Sequence, residues 1–559
     1  MKQIEVTFDG GKKTAVPFGS EVAAALRALA EVDPSASVAA SGRTCAGAYV
    51  NNKSLPLSAP LYTDADIRAM PIESKDGIQA YRHTLAYLMI KASKKVLDDK
   101  EIYMGHSLGH AYFYAVTRGV KLTESEIAAM KKELQRLIAA DLPITYTLLN
   151  FKEALQYFTE VGQKETVALL TLRSRWEIPV NKCEDFMDTY SRPLLDRTSL
   201  IQAFDLCPYN DGFLLMFPNS TDITKLSAFE DNPKIFSVYR EYKKWGHIVN
   251  LFAVPQLNLL IKNRTIKEFI RINEAYQNKK LGSIAEQVLA KKDKIKLVLI
   301  AGPSSSGKTT TAKRLSIQLR MLGINPIAVS LDDYYRHPDL APKDENGKPD
   351  LECLESLDVS YLNKQILSLL AGEEVTLPTY DFKTCTRKDG AKIRLTKNDV
   401  LLLEGIHGLN DALTPQIETE KKFKIYVSAL TQMNIDEHTR VSTTDNRLLR
   451  RLVRDYQFRG SPAEKTLSMW EAVQRGAEKH IFRFQNGADA VFNSALDYEI
   501  SVLRFYAEPL LRGVPPTCSE FAQAQRILDF LENFSGIPPQ YVPTQSILRE
   551  FIGESEFKY

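Results

Sequence analysis

The first 73 residues alternate between apolar and polar positions over short stretches, as half-buried strands do. The pattern predicts a strand over Ile4–Phe8, a turn at the following Asp-Gly-Gly, a second strand, a helix over Glu21–Ala30 and then two short strands. Residues 1–73 are therefore expected to form a small β-rich domain.

The pattern then changes three times. Residues 74–235 mix helical and strand patterns, which predicts an α+β domain. Residues 236–290 are mostly helical and are interpreted as a connector. Over residues 291–559 short apolar runs alternate with helical stretches, and helices are expected to close the chain.

Four apolar runs in the last section have the length of strands. They are IKLVLIAG, PIAVSLDD, DVLLLEGIHG and FKIYVSAL. Apolar strands that are separated by helices usually form a parallel sheet with helices on its faces. The expected class of this section is therefore α/β.

Composition and charge limit the function classes. The 559 residues carry 72 Lys and Arg against 69 Asp and Glu, a net charge of +3, so any polyanion site must be a local patch. Six scattered cysteines without a CxxC pair argue against a zinc or disulfide framework. No signal-peptide pattern and no apolar run of membrane-spanning length is seen, so we expect a cytoplasmic protein without a membrane partner.

The stretch GPSSSGKT, residues 302–309, fits G-x-x-x-x-G-K-[ST] between a predicted strand and a predicted helix. Such a loop lets backbone N–H groups converge on phosphate oxygens at a helix N-terminus. Lys308 is expected to reach the β- and γ-phosphates of ATP, and the Thr309 hydroxyl to bind Mg²⁺. A glycine-rich turn without a ligand is the alternative. The residues assigned to ATP are Gly302, Ser304, Ser305, Ser306, Gly307, Lys308, Thr309 and Thr310.

Acidic residues follow two other predicted strands. Asp332 and Asp333 come directly after the second apolar run, and a carboxylate at that end of a parallel strand faces the same crevice as the phosphate loop. Either could take a proton from an attacking hydroxyl, although a helix N-cap would also explain an aspartate there. Glu404 ends the run LLLE and is expected to contact Mg²⁺ directly or indirectly, with a structural carboxylate as the alternative.

Four arginines share one face of a predicted helix. Arg447, Arg450, Arg451 and Arg454 lie at i, i+3, i+4 and i+7, where like charges repel. Guanidinium groups suit phosphate oxygens, so we expect a mobile lid in which Arg447 and Arg451 act on the transferred phosphoryl group. A solvated helix face is the alternative.

Five segments, in this order, resemble the uridine/cytidine kinase family, the relatives of phosphoribulokinase, over about residues 291–510. They are the phosphate loop, SLDDYY, LPTYDF, LLLEGIHGLN and DNRLLRRLVRD. The resemblance implies a nucleoside monophosphate-kinase-like fold, ATP and Mg²⁺ as cofactors, and the 5′-hydroxyl of uridine or cytidine as acceptor, a step of pyrimidine salvage. It also implies that Asp332 is the base, that Tyr380 and Phe382 flank the nucleobase, and that Thr309 and Glu404 contact Mg²⁺. The residues assigned to the acceptor are Asp333, Tyr335, Glu352, Tyr380, Phe382, Cys385 and Arg447.

Two acceptor positions depart from that family. Glu352 stands where a ribose-binding aspartate is usual, and Cys385 stands where a pyrimidine-reading histidine is usual. A thiol is a weak hydrogen-bond donor and acceptor, and a site that lacks hydrogen bonds discriminates poorly. The acceptor therefore stays open between a pyrimidine nucleoside, another nucleoside and a sugar phosphate.

The N-terminal half resembles threonyl-tRNA synthetases over about residues 1–215. The segments that carry this likeness are VNNKSLPLSAPLYTDADIRAM, KDGIQAYRHTLAYL, MGHSLGHAYFY and FMDTYSRPLLDRTSLIQAFDL. It implies a ubiquitin-like TGS domain followed by an editing-type domain. The positions that match the family's four editing-site ligands are His83, Tyr87, Tyr190 and Leu194, so one ligand of four is kept. His106 and His110 fall outside this set, and we expect neither zinc nor deacylase activity.

Two function classes remain. The leading hypothesis is an ATP-dependent nucleoside kinase; the rival is an RNA-binding or regulatory protein that senses ATP through its phosphate loop. The synthetase-like half favours a contact with RNA, a nucleotide or the kinase domain itself, whereas the modest net charge argues against RNA. A homo-oligomer also stays open.

Overall fold

The structure is a computed structural model. It describes residues 2–9, 11–33, 44–98, 100–116, 120–173, 175–218, 222–343, 347, 349–381 and 384–559. Across these residues no helix is both long enough and apolar enough to cross a membrane.

The first unit is a five-stranded mixed sheet with one helix packed against it. Its elements are β1 (Gln3–Phe8), β2 (Lys13–Pro17), α1 (Val22–Val32), β3 (Cys45–Val50), β4 (Lys53–Leu55) and β5 (Ala65–Pro71). The strand order is β2-β1-β5-β3-β4, and β1 pairs with β5 in parallel. The small β-grasp domain expected here is confirmed, but three strands follow the helix instead of two. Asn51 and Asn52, with φ of 49° and 57°, form a tight turn that folds β3 onto β4.

The second unit combines two antiparallel sheets with four helices, as the expected α+β class requires. Its elements are α2 (Lys75–Val96), β6 (Ile102–Leu108), β7 (Ala111–Val116), α3 (Glu124–Ala139), β8 (Thr145–Asn150), α4 (Phe151–Glu160), α5 (Lys164–Leu172), β9 (Glu177–Cys183), β10 (Phe186–Thr189), β11 (Asp205–Tyr209) and β12 (Gly212–Met216). The sheet orders are β11-β12-β7-β6 and β10-β9-β8. Helix α3 begins with a capping box between Thr123 and Glu126, which satisfies backbone N–H groups that the helix itself leaves free.

Three helices occupy the section that the sequence pattern marks as helical. They are α6 (Pro233–Ile248), α7 (Val254–Lys262) and α8 (Ile266–Leu289). Side chains of α8, among them Leu281 and Val288, share one apolar core with Val298 and Leu315 of the next unit. These helices are therefore packed against that unit and do not form a free linker.

The last unit contains a five-stranded parallel sheet between helices, so the predicted α/β class is confirmed. Its elements are β13 (Leu297–Ala301), α9 (Lys308–Met321), β14 (Asn325–Ser330), α10 (Val359–Leu370), β15 (Val375–Asp381), β16 (Thr386–Ile393), β17 (Asp399–Glu404), β18 (Lys422–Ser428), α11 (Thr443–Arg459), α12 (Ala463–His480), β19 (Ala490–Asn493), α13 (Glu499–Arg512), α14 (Phe521–Leu531) and α15 (Arg549–Ile552). The strand order is β14-β17-β13-β18-β19, and β15 and β16 form a separate hairpin.

The register of the parallel strands places three polar segments at one edge of the sheet. Glu404 at the end of β17 pairs with Ile300 of β13 and with Ser330 of β14. The loop that follows β13 and the segment that follows β14 therefore start beside Glu404. Ligands of open parallel sheets bind at the carboxyl ends of the strands, so a ligand site is expected at this edge.

Candidate active site

The phosphate loop joins the central strand β13 to helix α9, and two of its glycines are required by space. A Cβ atom on Gly302 would collide with the carbonyl oxygen of Val427. A Cβ atom on Gly307 would lie 2.7 Å from Cγ2 of Ile547, and Gly307 has a φ of +82° directly before Lys308 begins the helix. The loop is thus held tightly against neighbouring backbone with its N–H groups at the helix N-terminus.

The donors of this loop fit an anion. The backbone N–H and the hydroxyl of Thr310 both donate to one carboxylate oxygen of Glu550, at 3.1 and 2.6 Å. The hydroxyls of Ser305 and Ser306 are buried and have no hydrogen-bond partner among the described residues. Free N–H groups in the first turn of a helix are natural ligands for phosphate oxygens. The loop therefore fits the phosphates of ATP.

Oxygen atoms suited to a magnesium ion meet beside the loop. The Thr309 hydroxyl donates to Oε1 of Glu404 over 3.2 Å, and the Ser330 hydroxyl lies 3.5 Å from the same atom. Burial raises the pKa of Glu404 to about 7; the nearby Asp332 carboxylate adds to the rise and Lys308 opposes it. Hydroxyl and carboxylate oxygens are the ligands that Mg²⁺ prefers, so this pair fits the ion.

Asp332 lies at the mouth of the crevice among positive side chains. It is accessible to solvent, yet its surroundings desolvate it enough to raise its pKa, while Lys308, Arg459 and Arg454 pull the pKa down. Lys308 itself donates to the carbonyl oxygen of Pro303 over 3.3 Å. Asp332 and Lys308, which are predicted to act on the phosphoryl group, are therefore close enough for their charges to interact.

Two arginines of α11 bind the phosphate loop directly. Nε of Arg447 donates to the carbonyl oxygen of Ser304 over 3.1 Å, and Nη1 of Arg451 donates to the Ser304 hydroxyl over 2.9 Å. Both side chains are buried, and burial lowers the pKa of Arg447 to about 10. Nη2 of Arg447 is buried without a hydrogen-bond partner in the described part of the chain, which leaves a donor for an acceptor or a phosphate.

Arg450 has a structural role. It is fully buried, ion-pairs with Glu499 at 2.6 Å and donates to the carbonyl oxygen of Ser494 over 2.8 Å. It also reaches the carbonyl oxygen of Ser305 at 3.4 Å. The mobile lid predicted from the arginine pattern therefore does not describe this part of α11, which is packed into the core.

Several residues assigned to the acceptor lie around β15. One oxygen of Asp333 accepts a hydrogen bond from the backbone N–H of Tyr380 over 2.9 Å, so Asp333 positions that strand. The rings of Tyr335 and Tyr380 lie 6.1 Å apart, and Cys385 is close enough to add to the burial-driven rise in the pKa of Tyr380. Phe382 lies outside the described residues.

Glu352 completes the acceptor side from another loop. Burial raises its pKa, and Arg451 and Lys308 oppose the rise. Lys308 therefore acts on both Glu352 and Asp332. The structure thus brings Glu352, Asp332, Lys308 and Arg451 into one crevice.

In the N-terminal half, side chains at the positions that match the editing site make structural contacts within the protein. Nδ1 of His83 contacts the carbonyl oxygen of Gln79 at 2.6 Å, and the Tyr87 hydroxyl donates to the carbonyl oxygen of Phe186 over 2.9 Å. Burial lowers the pKa of His83 to about 3. Within the described ranges, no three His, Cys, Asp or Glu side chains are grouped so that they could hold a metal ion.

Sequence reasoning missed three residues of the site. Ser330 lies two residues before Asp332, and its position at the end of β14 could have suggested it. Arg459 lies more than one helical turn after Arg454, so it falls outside the pattern that selected the four arginines. Glu550 carries no local signal, because its contact with Thr310 spans 240 residues of sequence.

Parallel strands in this order, a glycine-bounded loop after the central strand and an oxygen pair for Mg²⁺ define a P-loop nucleotide-binding domain. Sequence comparison points to a family for this unit. Residues 297–501 match the phosphoribulokinase/uridine kinase family, so this segment is similar to the kinases of that family.

The N-terminal half is similar to threonine–tRNA ligases. The enzyme of Lawsonia intracellularis is 24% identical over 217 residues, which cover 37% of this chain and 34% of the ligase. Threonine–tRNA ligase 2 of Bacillus subtilis is 27% identical over 165 residues, 29% of this chain and 26% of the ligase. The chain thus spans about a third or less of these relatives. Among solved structures, a possible uridine kinase from Bacillus stearothermophilus aligns with a TM-score of 0.27 and 22% identity, over 38% of this chain and 97% of that one.

Proposed function

We propose that the chain transfers the γ-phosphate of ATP to the 5′-hydroxyl of a nucleoside, with uridine and cytidine as the preferred acceptors. The observation that carries this proposal is the position of Asp332, a solvent-accessible carboxylate in the electrostatic field of Lys308 at the mouth of the phosphate loop. A kinase needs such a carboxylate to orient the attacking hydroxyl and accept its proton.

The other side chains have separate roles in this proposal. The backbone of the loop and Lys308 bind the phosphates, and Thr309 and Glu404 hold Mg²⁺. Mg²⁺ bound there supplies charge neutralisation at the phosphate oxygens. Arg447 and Arg451 keep the loop in shape through Ser304, and Nη2 of Arg447, which has no hydrogen-bond partner among the described residues, is the donor we assign to the transferred group. Positioning and fixed charge account for most of the rate in phosphoryl transfer.

The test is a panel of acceptors with purified protein, ATP and Mg²⁺, in which ADP release is measured. Uridine, cytidine, adenosine, guanosine, ribose 5-phosphate and ribulose 5-phosphate separate the possible acceptors. A Lys308→Ala variant, purified in the same way, reports contaminating kinases. Turnover with uridine or cytidine above all others supports the proposal, and turnover with none of the six contradicts it.

A second candidate is a kinase of the same fold that acts on another nucleoside or on a sugar phosphate. It is favoured by Cys385 and Glu352, which replace the residues usual for reading a pyrimidine and a ribose. A thiol gives the base little hydrogen bonding, so pyrimidine selectivity has little to rest on. Higher turnover with adenosine, guanosine or a pentose phosphate in the same panel would favour this candidate.

For the N-terminal half we propose a contact with RNA, on the similarity to threonine–tRNA ligases. Binding of tRNA to the full chain, measured across salt concentrations, tests it, because phosphate contacts make affinity fall steeply with salt. A non-specific RNA of equal length is the control. Equal affinity for both RNAs would contradict a specific contact.

A further inference from the structure

The C-terminal segment, residues 546–559, crosses the phosphate loop; we call it the C-terminal strap. Its Glu550 carboxylate takes both donors of Thr310, the backbone N–H and the hydroxyl. Thr310 is the third residue of α9, and its N–H is one of those that a helix leaves free at its start. Thr310 is one of the residues that the sequence assigns to ATP, so any role of the strap in nucleotide binding rests on the proposed function.

The end of the strap adds a second contact with the same residue. The hydroxyl of Tyr559 lies 2.8 Å from the hydroxyl of Thr310. The ammonium of Lys313 lies 5.4 Å from the centre of the Tyr559 ring and donates to the carbonyl oxygen of Lys558. The strap therefore lies along the first turns of α9 and covers its phosphate-facing side.

The two ends of the strap are held very differently. Ile547, Leu548 and Phe551 are fully buried in the apolar core, so the first part is fixed. Gly553 then changes direction with a φ of +86°, and the residues after it are held by polar contacts such as Glu556 with Thr544. Segments with few buried apolar contacts open most easily. The final residues can therefore leave α9 while the first part stays in place.

We propose that the strap is an intramolecular competitor of the nucleotide: the Glu550 carboxylate occupies the Thr310 donors in the free protein and must turn away when ATP binds. One carboxylate oxygen and a phosphate oxygen cannot both lie within hydrogen-bond distance along the same N–H and O–H bonds. A nucleotide therefore binds only the fraction of molecules in which the Glu550 side chain has rotated away and Tyr559 has left Thr310, and its apparent Kd rises accordingly.

Charge strengthens the competition. Glu550 also contributes to the rise in the pKa of Glu404, so two carboxylates lie near the phosphate-binding edge. A triphosphate that enters meets this negative charge unless Glu550 moves away. Both the lost donors and the repulsion therefore favour the closed strap in the absence of nucleotide.

The test compares Glu550→Ala with wild-type protein in direct binding of a fluorescent ATP analogue with Mg²⁺. Hydrogen bonds to a charged acceptor are strong enough that its removal should lower the Kd about tenfold. The matched control is Glu554→Ala. It removes the same charge from the same strap at a side chain that is 84% exposed and pairs with Arg549. Its Kd should stay close to that of wild type.

An unchanged Kd in Glu550→Ala, or a higher one, overturns the proposal; a higher Kd would make Glu550 part of the nucleotide site. A second measurement needs no variant. Hydrogen exchange of residues 554–559 in the wild-type chain should become faster when ATP is added, and unchanged or slower exchange also overturns it. Both readouts measure nucleotide binding without turnover. If the protein is an active kinase but neither the Kd nor the hydrogen exchange changes as expected, only the strap proposal is wrong. If both change as expected but no acceptor is phosphorylated, only the kinase proposal is wrong.

Discussion

The Asp332 carboxylate lies close enough to Glu404 to raise its pKa, and Lys308 lowers the pKa of both groups. The lysine stabilises both carboxylates, while burial and mutual repulsion disfavour their ionised forms. A catalytic base works best when its pKa lies near the working pH, and the environment of Asp332 moves it in that direction. The ionisation of Asp332 and Glu404 therefore depends on the balance between burial and the charge of Lys308.

Replacing Asp332 by Asn keeps the shape of the side chain and removes the proton acceptor. We expect kcat to fall by about 10²–10⁴-fold, the range for a general base, with little change in the Kd of ATP. Steady-state kinetics with the best acceptor of the panel checks this. The matched control is Asp339→Asn in the same loop, whose side chain is 87% exposed. Near-normal turnover of Asp332→Asn would exclude it as the base.

Glu404 gives a pH dependence. Its pKa of about 7 lies above the usual 4.5, so below pH 7 the carboxyl group is mostly protonated and would lose the charge with which we propose that it holds Mg²⁺. At limiting Mg²⁺, kcat/KM should therefore fall by about tenfold per pH unit below pH 7. A profile measured at several Mg²⁺ concentrations checks this, and a flat profile down to pH 5 contradicts it.

The same group affects stability with the opposite sign. A carboxyl group with a raised pKa in the folded state stabilises the fold at low pH, and this contribution is lost as the pH rises from about 4.5 to about 7. Without Mg²⁺, Glu404→Gln should therefore raise Tm at pH 8 and leave it nearly unchanged at pH 4.

Helix α11 contributes one partner of a buried ion pair to the core. Arg450 and Glu499 are exposed by 0% and 1%, and they face each other across the helix pair α11 and α13. A buried pair of this kind needs both partners, because one alone leaves an uncompensated charge in the core. The helix is thereby fixed against the phosphate loop, with Arg447 and Arg451 held beside Ser304.

Arg450→Met should destabilise the domain by about 3–5 kcal/mol, since Glu499 would remain buried without its partner. Adding Glu499→Gln should recover part of this loss. Chemical unfolding of the three proteins checks the expectation. The control is Arg512→Met, whose side chain is 63% exposed in its pair with Glu508 and should contribute less than about 1 kcal/mol. Equal losses at Arg450 and Arg512 would contradict the buried-pair explanation.

Elements were predictable where the signal is local. The apolar runs that became β13, β17 and β18 indicate a buried parallel sheet, because strands covered on both faces are apolar throughout. One of the three strands after α1 was missed; β4 has only three residues, so its apolar pattern is too short to stand out. The packing of α11 was also missed: its four arginines suggested a mobile lid, and the partner Glu499 lies 49 residues away from Arg450.

The candidate site follows the same rule. Lys308, Thr309 and Glu404 are positioned by strand ends and a loop motif, so their approach could be predicted from sequence. The position of Asp333 against Tyr380 and that of Glu550 against Thr310 depend on segments 47 and 240 residues away. No local pattern contains such information. Long-range packing decides which carboxylate faces the crevice and which one holds a strand.

At the scale of the whole molecule, one loop after β18 ties the two halves together. The Glu437 carboxylate accepts hydrogen bonds from the backbone N–H groups of Glu165 and Thr166, at 2.5 and 3.0 Å, and so caps α5 of the N-terminal half. Next to it, His438 pairs with Asp188 at 2.7 Å. We call residues 434–440 the docking loop.

Glu437→Ala should weaken the coupling between the halves. The variant removes the acceptor for the start of α5 and leaves its N–H groups unsatisfied at a buried interface. We expect calorimetry to show a separate, earlier transition for the N-terminal half. Glu153→Ala is the control, because Glu153 caps α4 within that half. Identical melting profiles for the two variants would contradict a coupling role of Glu437.

The docking loop also sets an order of events during synthesis. Glu437 follows Glu165 by 272 residues, so a ribosome adding about 5–20 residues per second makes it roughly 14–54 s later. For that interval the newly made α5 has water as its only cap, and the synthetase-like half must remain soluble without its partner. A codon change that slows translation between these positions prolongs this exposure without altering a single amino acid.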